Sequence, residues 1–312
     1  MKFSRRSFIV TAIGAGLAGG GAMFATRDAN QAYQWRGAAL GGEARVVLFN
    51  ADEATARTAL VAIENEIERL ENIFSLHRET SQLRQLNRDG RLAAPSHDLV
   101  DVLNASLEWK KKTAGAFDPT VQPIWLSAAA GEPISSQVLE RVGGGISINS
   151  EAVTLSPGAS LTLNGIAQGH IADRVTGILG AHGFNDVVID AGELRLAGRQ
   201  RRAVGIPSAK VAVSVAEIAV ATSEPKSLVF DPRSFRHHLI DPRTGDSPRH
   251  WLSISVFAPT ARMADALSTG FCVLHHDVVA DLVASLPEVA VVGADAKGRI
   301  RRYGNLGLLR AT

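Results

Sequence analysis

Asp265 and Thr269 are the residues of this sequence whose types and spacing first suggest chemistry. They stand four positions apart in a segment with a helical apolar pattern, so a carboxylate and a hydroxyl fall on one helix face, one turn apart. Two hard oxygen ligands are what Mg²⁺ takes from a protein that leaves its other positions to water and substrate phosphates. A helix cap and a solvated face can use the same two residues, so both interpretations stay open on spacing alone.

Two loops carry further candidate residues. The glycine-rich segment from Gly165 to Gly169 lies between a predicted strand and a predicted helix, where backbone N–H groups at a helix N-terminus favour phosphate. Phe117 and Asp118 lie in a loop before Pro119, where a ring and a carboxylate could hold a flat heterocycle or its ribose. Each segment could equally be a packed turn, and the residues alone do not separate the two interpretations.

The elements that must position these residues follow an α+β pattern. Helical apolar spacing alternates with short β-type runs separated by Ser, Asn, Gly and Pro, and hairpin-length strands dominate the middle of the chain. We therefore predict a mixed fold of mostly antiparallel sheets packed with helices. The predicted helices are 52–71, 81–87, 96–113, 167–181, 261–274 and 278–286. The predicted strands are 42–50, 146–148, 152–155, 160–163, 187–190, 211–215, 219–222, 252–257 and 289–292.

The N-terminus has the layout of an export signal. Arg5 and Arg6, preceded by Ser4, lead into an uncharged run that ends near Ala25. This layout is typical of a twin-arginine signal, and the run is shorter than the roughly 20 residues of a spanning helix. We predict a signal segment at residues 1–25, a single domain at 26–312 and a periplasmic location; an uncleaved segment that holds the protein at the membrane is the alternative.

Composition narrows the class of protein. The chain has 312 residues, of which 46% are hydrophobic and 21% charged, a globular balance. The chain has 33 basic and 31 acidic residues. Three of the basic residues lie in the signal segment, so the rest of the chain has 30 basic and 31 acidic residues. A net charge near −1 gives no electrostatic reason to expect nucleic acid as a partner. Cys272 is the single cysteine, so no internal disulfide can form, and its apolar surroundings in sequence predict a core residue.

Five separated segments resemble, in order, the pattern of the FAD:protein FMN transferase (ApbE) family. Gly115 to Val121 is similar to the family's Gly-x-Phe-Asp-Pro-Thr-Val, and His238 to Gly245 to its His-Ile-Ile-Asp-Pro-x-Thr-Gly. The other three matching segments are 74–87, 164–173 and 258–269. The resemblance implies an ApbE-like, T-fold-related α+β fold of two intimately joined lobes, and an enzyme that moves FMN from FAD onto a partner protein.

The resemblance also implies roles for individual residues. Mg²⁺ would be bound by Asp265, Thr269 and the backbone carbonyl of Gly165, and His238 and Asp265 would be catalytic, with His238 as the base. The residues implied to contact FAD are His77, Ala116, Phe117, Asp118, Thr162, Gln168 and Leu239. The implied partners are FAD and an exported acceptor flavoprotein of an electron-transfer or respiratory complex, attached through a Ser or Thr with release of AMP.

Several positions depart from the family's pattern. His77 stands where the family has Tyr, Thr162 where it has an acid and Gln168 where it has Lys; residues 190–194 also differ from the family's Asn-x-Gly-Gly-Asp. These departures leave two other hypotheses open. One is a non-catalytic flavin-binding or maturation scaffold on the same fold, and the other is hydrolysis of FAD to FMN and AMP.

Overall fold

The computed structural model of the protein describes residues 32–206, 209, 211–231, 233 and 235–311. The predicted signal segment lies outside these residues. The helices are α1 (Glu53–Phe74), α2 (Gln82–Asp89), α3 (His97–Lys112), α4 (Gln122–Ala129), α5 (Ser136–Leu139), α6 (Ala167–Ala181), α7 (Ala261–Cys272) and α8 (His276–Ala284). Within the described residues no helix has the length and apolar character needed to cross a membrane.

The strands form one large sheet and three small ones. They are β1 (Ala32–Ala39), β2 (Gly42–Phe49), β3 (Arg91–Ala93), β4 (Ile146–Ile148), β5 (Ala152–Leu155), β6 (Val187–Asp190), β7 (Leu194–Ala197), β8 (Arg202–Ile206), β9 (Val211–Val215), β10 (Ile218–Ser223), β11 (Val229–Asp231), β12 (Arg236–His237), β13 (Trp251–Ala258), β14 (Ala290–Asp295), β15 (Ile300–Gly304) and β16 (Arg310–Ala311). The large sheet has the order β1-β2-β6-β7-β10-β13-β14-β15, and every neighbouring pair in it is antiparallel. The small sheets are β3-β5-β4, β16-β9-β8 and β11-β12. This arrangement confirms the predicted α+β class with mostly antiparallel sheets.

Both faces of the large sheet are buried. Along β2, Val46 and Leu48 belong to the core shared with the helices, whereas Val47 and Phe49 belong to a second core that includes residues of β8 and β9. Successive side chains of a strand point to opposite faces, so a strand covered on both sides must be apolar throughout. This explains why the sequences of β2, β6 and β14 are nearly continuous apolar runs.

The helices α1, α6 and α7 cover the face of the large sheet on which Val46 and Leu48 lie, and they surround the candidate site. In α1 the buried residues include Leu60, Ile63 and Ile67, the predicted apolar stripe, and Asp52 caps the helix by accepting from the Thr55 backbone N–H at 3.0 Å. Helix α6 has the predicted bounds, and α7 ends two residues before the predicted end. Cys272 is 1% exposed, which confirms that it is a core residue.

Residues 160–163, predicted as a strand, are not one. Their backbone groups bond instead to neighbouring loops: Leu161 N–H donates to Asn87 Oδ1 at 2.7 Å, Asn87 Nδ2 donates to the Leu161 carbonyl at 2.8 Å, and Thr162 N–H donates to the Pro119 carbonyl at 2.8 Å. An asparagine side chain and a loop carbonyl thus replace a strand partner. The alternating sequence reflects burial of Leu161 and Leu163, not a ladder.

Candidate active site

The N-terminal half of α6 lies directly against α7. A Cβ atom on Gly169 would lie 2.3 Å from the Ala261 carbonyl oxygen, so no larger residue fits between the two backbones. At the same point the Gly169 backbone N–H donates to Asp265 Oδ2 at 3.1 Å. The glycine therefore serves two purposes, because it allows the close approach of the helices and it fixes one oxygen of the candidate metal ligand.

The three residues implied to bind Mg²⁺ lie close together. A Cβ atom on Gly165 would lie 2.7 Å from Thr269 Oγ1 and 3.0 Å from Thr269 Cγ2, so the backbone of the loop touches the threonine side chain. Asp265 lies one helical turn before Thr269 on α7. The three oxygen donors, a carboxylate, a hydroxyl and a backbone carbonyl, are hard ligands that fit Mg²⁺.

Asp265 is in an environment that disfavours an isolated negative charge. The residue is 2% exposed. Burial, followed by the negative charge of Asp173, raises the pKa of Asp265 to about 8, although the hydrogen bond from Gly169 acts to lower it. A cation beside the carboxylate would compensate this cost, as expected of a metal ligand.

Asp173 holds the start of α7. Its Oδ1 accepts from the Ala261 N–H at 2.8 Å and its Oδ2 from the Arg262 N–H at 2.9 Å, so a side chain of α6 caps α7. Burial raises the pKa of Asp173, while these two hydrogen bonds lower it. The aspartate at the end of the matching segment 164–173 thus positions the helix that carries Asp265.

Glu193 is a residue of this site that the sequence analysis missed. It lies in the turn between β6 and β7, is 9% exposed, and its Oε2 has no hydrogen-bond partner among the described residues. Burial, then the charges of Asp265 and Asp190, raise the pKa of Glu193 well above its ordinary value, against a backbone hydrogen bond at Thr222. The signal was a carboxylate directly after Gly192 in a turn between strands, but β7 was not predicted, so the hairpin went unseen.

Two residues implied to contact FAD, Gln168 and His77, lie against the turn between β1 and β2. The Gln168 carboxamide lies over two glycines, with Nε2 at 2.4 Å from the Cβ position of Gly192 and 3.1 Å from that of Gly42. His77 is exposed, and its Cδ2 lies 3.9 Å from the Cβ position of Gly41 in the turn between β1 and β2. The glycines leave room for these two side chains beside the candidate cation residues.

The loop at residues 116–118 has buried side chains. Ala116 and Phe117 are 3% and 4% exposed, and a Cβ atom on Gly270 would lie 3.1 Å from Phe117 Cβ. Asp118 Oδ1 accepts from the N–H and hydroxyl of Thr120 at 2.9 and 2.7 Å, and Oδ2 pairs with Lys110 Nζ at 2.8 Å. The side chains of Phe117 and Asp118 are therefore engaged within the protein.

Thr162 and Leu239 are also engaged locally. Thr162 Oγ1 accepts from the Asn164 N–H at 3.3 Å, just before the glycine loop. Leu239 is 7% exposed and belongs to the main core. The turn that follows it is closed by the Asp241 carbonyl, which accepts from the Gly245 N–H at 2.8 Å, and the Asp241 carboxylate accepts from Arg243 Nε and Nη2 at 2.8 and 2.6 Å.

His238 follows β12, and hydrogen bonds attach it to the segment before β11. Its backbone N–H and its Nδ1 both bond to the Leu228 carbonyl at 3.1 Å, so Nδ1 carries the proton and Nε2 is the acceptor nitrogen of the neutral ring. Burial, followed by the charge of His237, lowers the pKa of His238. The imidazole is therefore neutral at pH 7 and chemically suited to accept a proton at Nε2. Its described hydrogen bonds do not reach the Asp265–Thr269 pair.

A separate cleft of about 750 Å³ lies away from these residues. Its lining includes Asp52, His182 and Arg199 and none of the residues implied to act on flavin or metal. The candidate site is thus the junction of the glycine loop, α7 and the β6–β7 turn, and this cleft is not part of it.

Comparison with known sequences agrees with this arrangement. The sequence profile of the ApbE family matches residues 40–292. The chain belongs to the ApbE family. It is 28% identical over 290 residues to the FAD:protein FMN transferase of Treponema pallidum, with 80% of each chain covered. It is 28% identical over 258 residues to that of Haemophilus influenzae, with 72% of this chain and 75% of the relative covered. The predicted family is confirmed, and so is the predicted enzyme class, a transferase.

Solved structures of the ApbE family share the fold. The ApbE protein of Thermotoga maritima superposes with a TM-score of 0.79 at 24% identity, covering 90% of this chain and 100% of the other. The flavin transferase ApbE of Vibrio cholerae superposes with a TM-score of 0.73 at 22% identity, covering 88% and 96%. These likenesses confirm the predicted ApbE-like fold.

Proposed function

We propose that this protein is a Mg²⁺-dependent FAD:protein FMN transferase that attaches FMN through a phosphoester to a Ser or Thr of an exported partner protein and releases AMP. The observation that carries the proposal is the junction of Gly165, Asp265 and Thr269 at the N-terminus of α6. The names of the relatives from T. pallidum and H. influenzae support the choice of FAD and FMN.

The start of α6 suits the pyrophosphate of FAD. The N-cap residue Ile166 gives α6 no side-chain cap, and Asp265 accepts from the Gly169 N–H in the first turn, so the positive end of the helix lies beside the candidate cation residues and favours an anion there. Asp265, Thr269 and the carbonyl of Gly165 would hold Mg²⁺ beside it. When bound, Mg²⁺ supplies positive charge that neutralises the pyrophosphate and orients it for in-line displacement.

His238 is the proposed base for the acceptor hydroxyl. Its Nδ1–H is held by the Leu228 carbonyl, which keeps the ring in the tautomer with Nε2 as acceptor. Nε2 takes the proton of the acceptor Ser or Thr as the hydroxyl oxygen forms a bond to the phosphorus on the FMN side. The bond from that phosphorus to the bridging oxygen breaks, and AMP leaves with the oxygen.

The proposed acceptor is an exported flavoprotein of an electron-transfer or respiratory complex. We propose that the enzyme reaches it in the periplasm by the twin-arginine pathway, because Arg5 and Arg6 precede a short uncharged run. FAD and this acceptor are then the two substrates, and the flavinylated acceptor and AMP are the two products.

The test is a covalent-flavin assay with the mature protein. FAD, Mg²⁺ and candidate acceptors are incubated together; the acceptor is analysed by mass spectrometry for an FMN adduct, and AMP is measured in the supernatant. The proposal expects adduct and AMP in equal amounts, both abolished by EDTA. AMP without adduct on any acceptor would replace transfer by FAD hydrolysis, and FAD binding without AMP would favour the flavin-binding scaffold.

A further inference from the structure

Glu193 brings a second carboxylate to the candidate cation site from a different part of the fold. Asp190 pairs with Leu194 across the β6–β7 hairpin, so residues 191–193 form its tip. Leu194 in turn pairs with Val220 of β10, which places the tip beside β10. The residues at the end of β10 contact α7, since Ser223 and Ser268 share a hydrogen bond of 3.0 Å between their hydroxyls. The fold therefore directs the hairpin tip towards the helix that carries Asp265.

The Glu193 carboxylate is held in a buried position with one oxygen unpaired. Its Oε2 has no hydrogen-bond partner among the described residues. The side chain is nine-tenths buried. A buried carboxylate oxygen that water and protein donors do not reach is costly, and native structures rarely keep one without a use.

The neighbouring charges that act on Glu193 are the carboxylates of Asp265 and Asp190. Arg195 follows two positions along the hairpin, but its guanidinium faces Asp173, at 4.0 Å, and feels the charge of Glu217. Like charges placed together in a buried site are stable only when a cation or a proton joins them.

We propose that Glu193 is a further ligand of the divalent cation, binding through Oε2 alongside Asp265, Thr269 and the carbonyl of Gly165. This inference rests on the cation site of the proposed function. Two carboxylates would match the charge of a divalent ion, and both are oxygen donors of the kind that Mg²⁺ and Mn²⁺ prefer. Glu193 would thereby hold the cation before the pyrophosphate arrives.

The experiment measures cation binding without FAD. Mg²⁺ and Mn²⁺ are titrated into the mature protein by calorimetry, and Mn²⁺ binding is followed by electron paramagnetic resonance. Glu193→Gln keeps the size of the side chain and removes its charge, and is expected to weaken binding by roughly 10- to 100-fold. Asp265→Asn is the reference for a lost ligand. Asp277→Asn tests a second candidate cluster, because the ligand atoms of Asp277, the exposed His275 and the half-buried His276 lie within 4.8 Å of one another and could hold a cation; it is expected to bind Mn²⁺ like the wild type.

The unfolding temperature in EDTA separates a ligand from a structural residue. A ligand without its cation is a buried, uncompensated carboxylate, so Glu193→Gln is expected to unfold in EDTA no earlier than the wild type, and to lose the stabilisation that Mg²⁺ gives. Glu193→Asp, which keeps the charge on a shorter side chain, is expected to recover part of the binding.

The outcomes distinguish this inference from the proposed function. If Glu193→Gln binds Mn²⁺ as tightly as the wild type while Asp265→Asn does not, the role of Glu193 is overturned and the cation site stands. If Asp265→Asn also binds like the wild type, the cation site itself is refuted. Early unfolding of Glu193→Gln in EDTA would assign Glu193 to folding and overturn its role as a ligand.

Discussion

Replacing Gly165 with alanine tests the contact on which the cation site depends. The added Cβ would lie 2.7 Å from Thr269 Oγ1, whereas ordinary contacts begin at 3.4 Å. Thr269 Oγ1 and the loop must therefore separate by about 0.7 Å, a large shift for an ion that demands oxygens at roughly 2.0–2.1 Å. The alanine should remove the hydroxyl, the loop carbonyl or both from the coordination sphere.

The size of the effect follows from the kind of neighbour that must move. Inserting a methyl group into a packed site costs roughly 1–3 kcal/mol. Because each 1.4 kcal/mol is tenfold in an equilibrium constant, we expect Mg²⁺ binding weaker by about 10- to 100-fold. Thr269 is a side chain that can give way, so the protein should remain folded. Gly169→Ala should instead prevent folding, because its Cβ would lie 2.3 Å from the Ala261 carbonyl oxygen, which is backbone.

The control for Gly165→Ala is an alanine substitution at a nearby glycine whose added Cβ would contact no other atom. Gly177 lies on α6 with no atom within 4 Å of its Cβ position, so Gly177→Ala should bind Mg²⁺ like the wild type. It should also unfold at a slightly higher temperature, because alanine favours a helix by roughly 1 kcal/mol over glycine. Calorimetric titration of Mg²⁺ into both variants decides the matter. Equal affinities for the two would refute the assignment of Gly165 and Thr269 to the cation site.

Three further predictions test other parts of the protein. His238→Ala should keep FAD binding but slow covalent transfer by roughly 10²–10⁴-fold, and unchanged transfer in this variant would exclude His238 as the base. In the wild type the transfer rate should rise with pH to a plateau, with its midpoint below the ordinary His pKa of about 6.5. Replacing Arg5 and Arg6 with Lys should leave the precursor in the cytoplasm, as measured by cell fractionation, and normal export would exclude the twin-arginine route. Burial acts to raise the pKa of Asp295, but hydrogen bonds from Arg299 hold that pKa low. The ionised carboxylate therefore stabilises the protein above the ordinary Asp pKa, and this stabilisation is lost in acid. Asp295→Asn should lower the unfolding temperature at pH 7 by several degrees, and a difference between variant and wild type that did not shrink below about pH 4 would contradict the role of the charge.

The sequence predicted the elements in which one face is buried and the other exposed, because their apolar residues then recur with a clear period. Helix α6 has the predicted bounds because its apolar period and its flanking glycine and histidine mark both ends. The strand predicted at 160–163 was wrong because alternation records burial, and burial of Leu161 and Leu163 requires no neighbouring strand. Strand β1 was missed because its polar residues, such as Gln34 and Arg36, hide the pattern at the edge of the sheet.

The candidate site was predicted where two candidate ligands share one helix and not where the fold brings residues together. The spacing of Asp265 and Thr269 fits one helix face and the family resemblance implied that the pair binds metal, whereas the position of Glu193 depends on the pairing of β7 with β10, which no local pattern records. Likewise Lys110, in the last turn of α3, pairs with the buried Asp118. Single-residue partners of this kind are set by tertiary contacts and are invisible to periodicity.

The contacts between α6 and α7 have a consequence for the order of folding. The bond from Gly169 to Asp265 joins residues 96 positions apart, and the bond from Ala261 to Asp173 spans 88. Contacts of such sequence separation carry a large loop-closure cost and are expected to form slowly. A nascent or truncated chain that ends before α7 lacks Asp265 and Thr269 and therefore the proposed cation site. Divalent-ion binding at that site would report that synthesis and folding of the centre of the protein are complete.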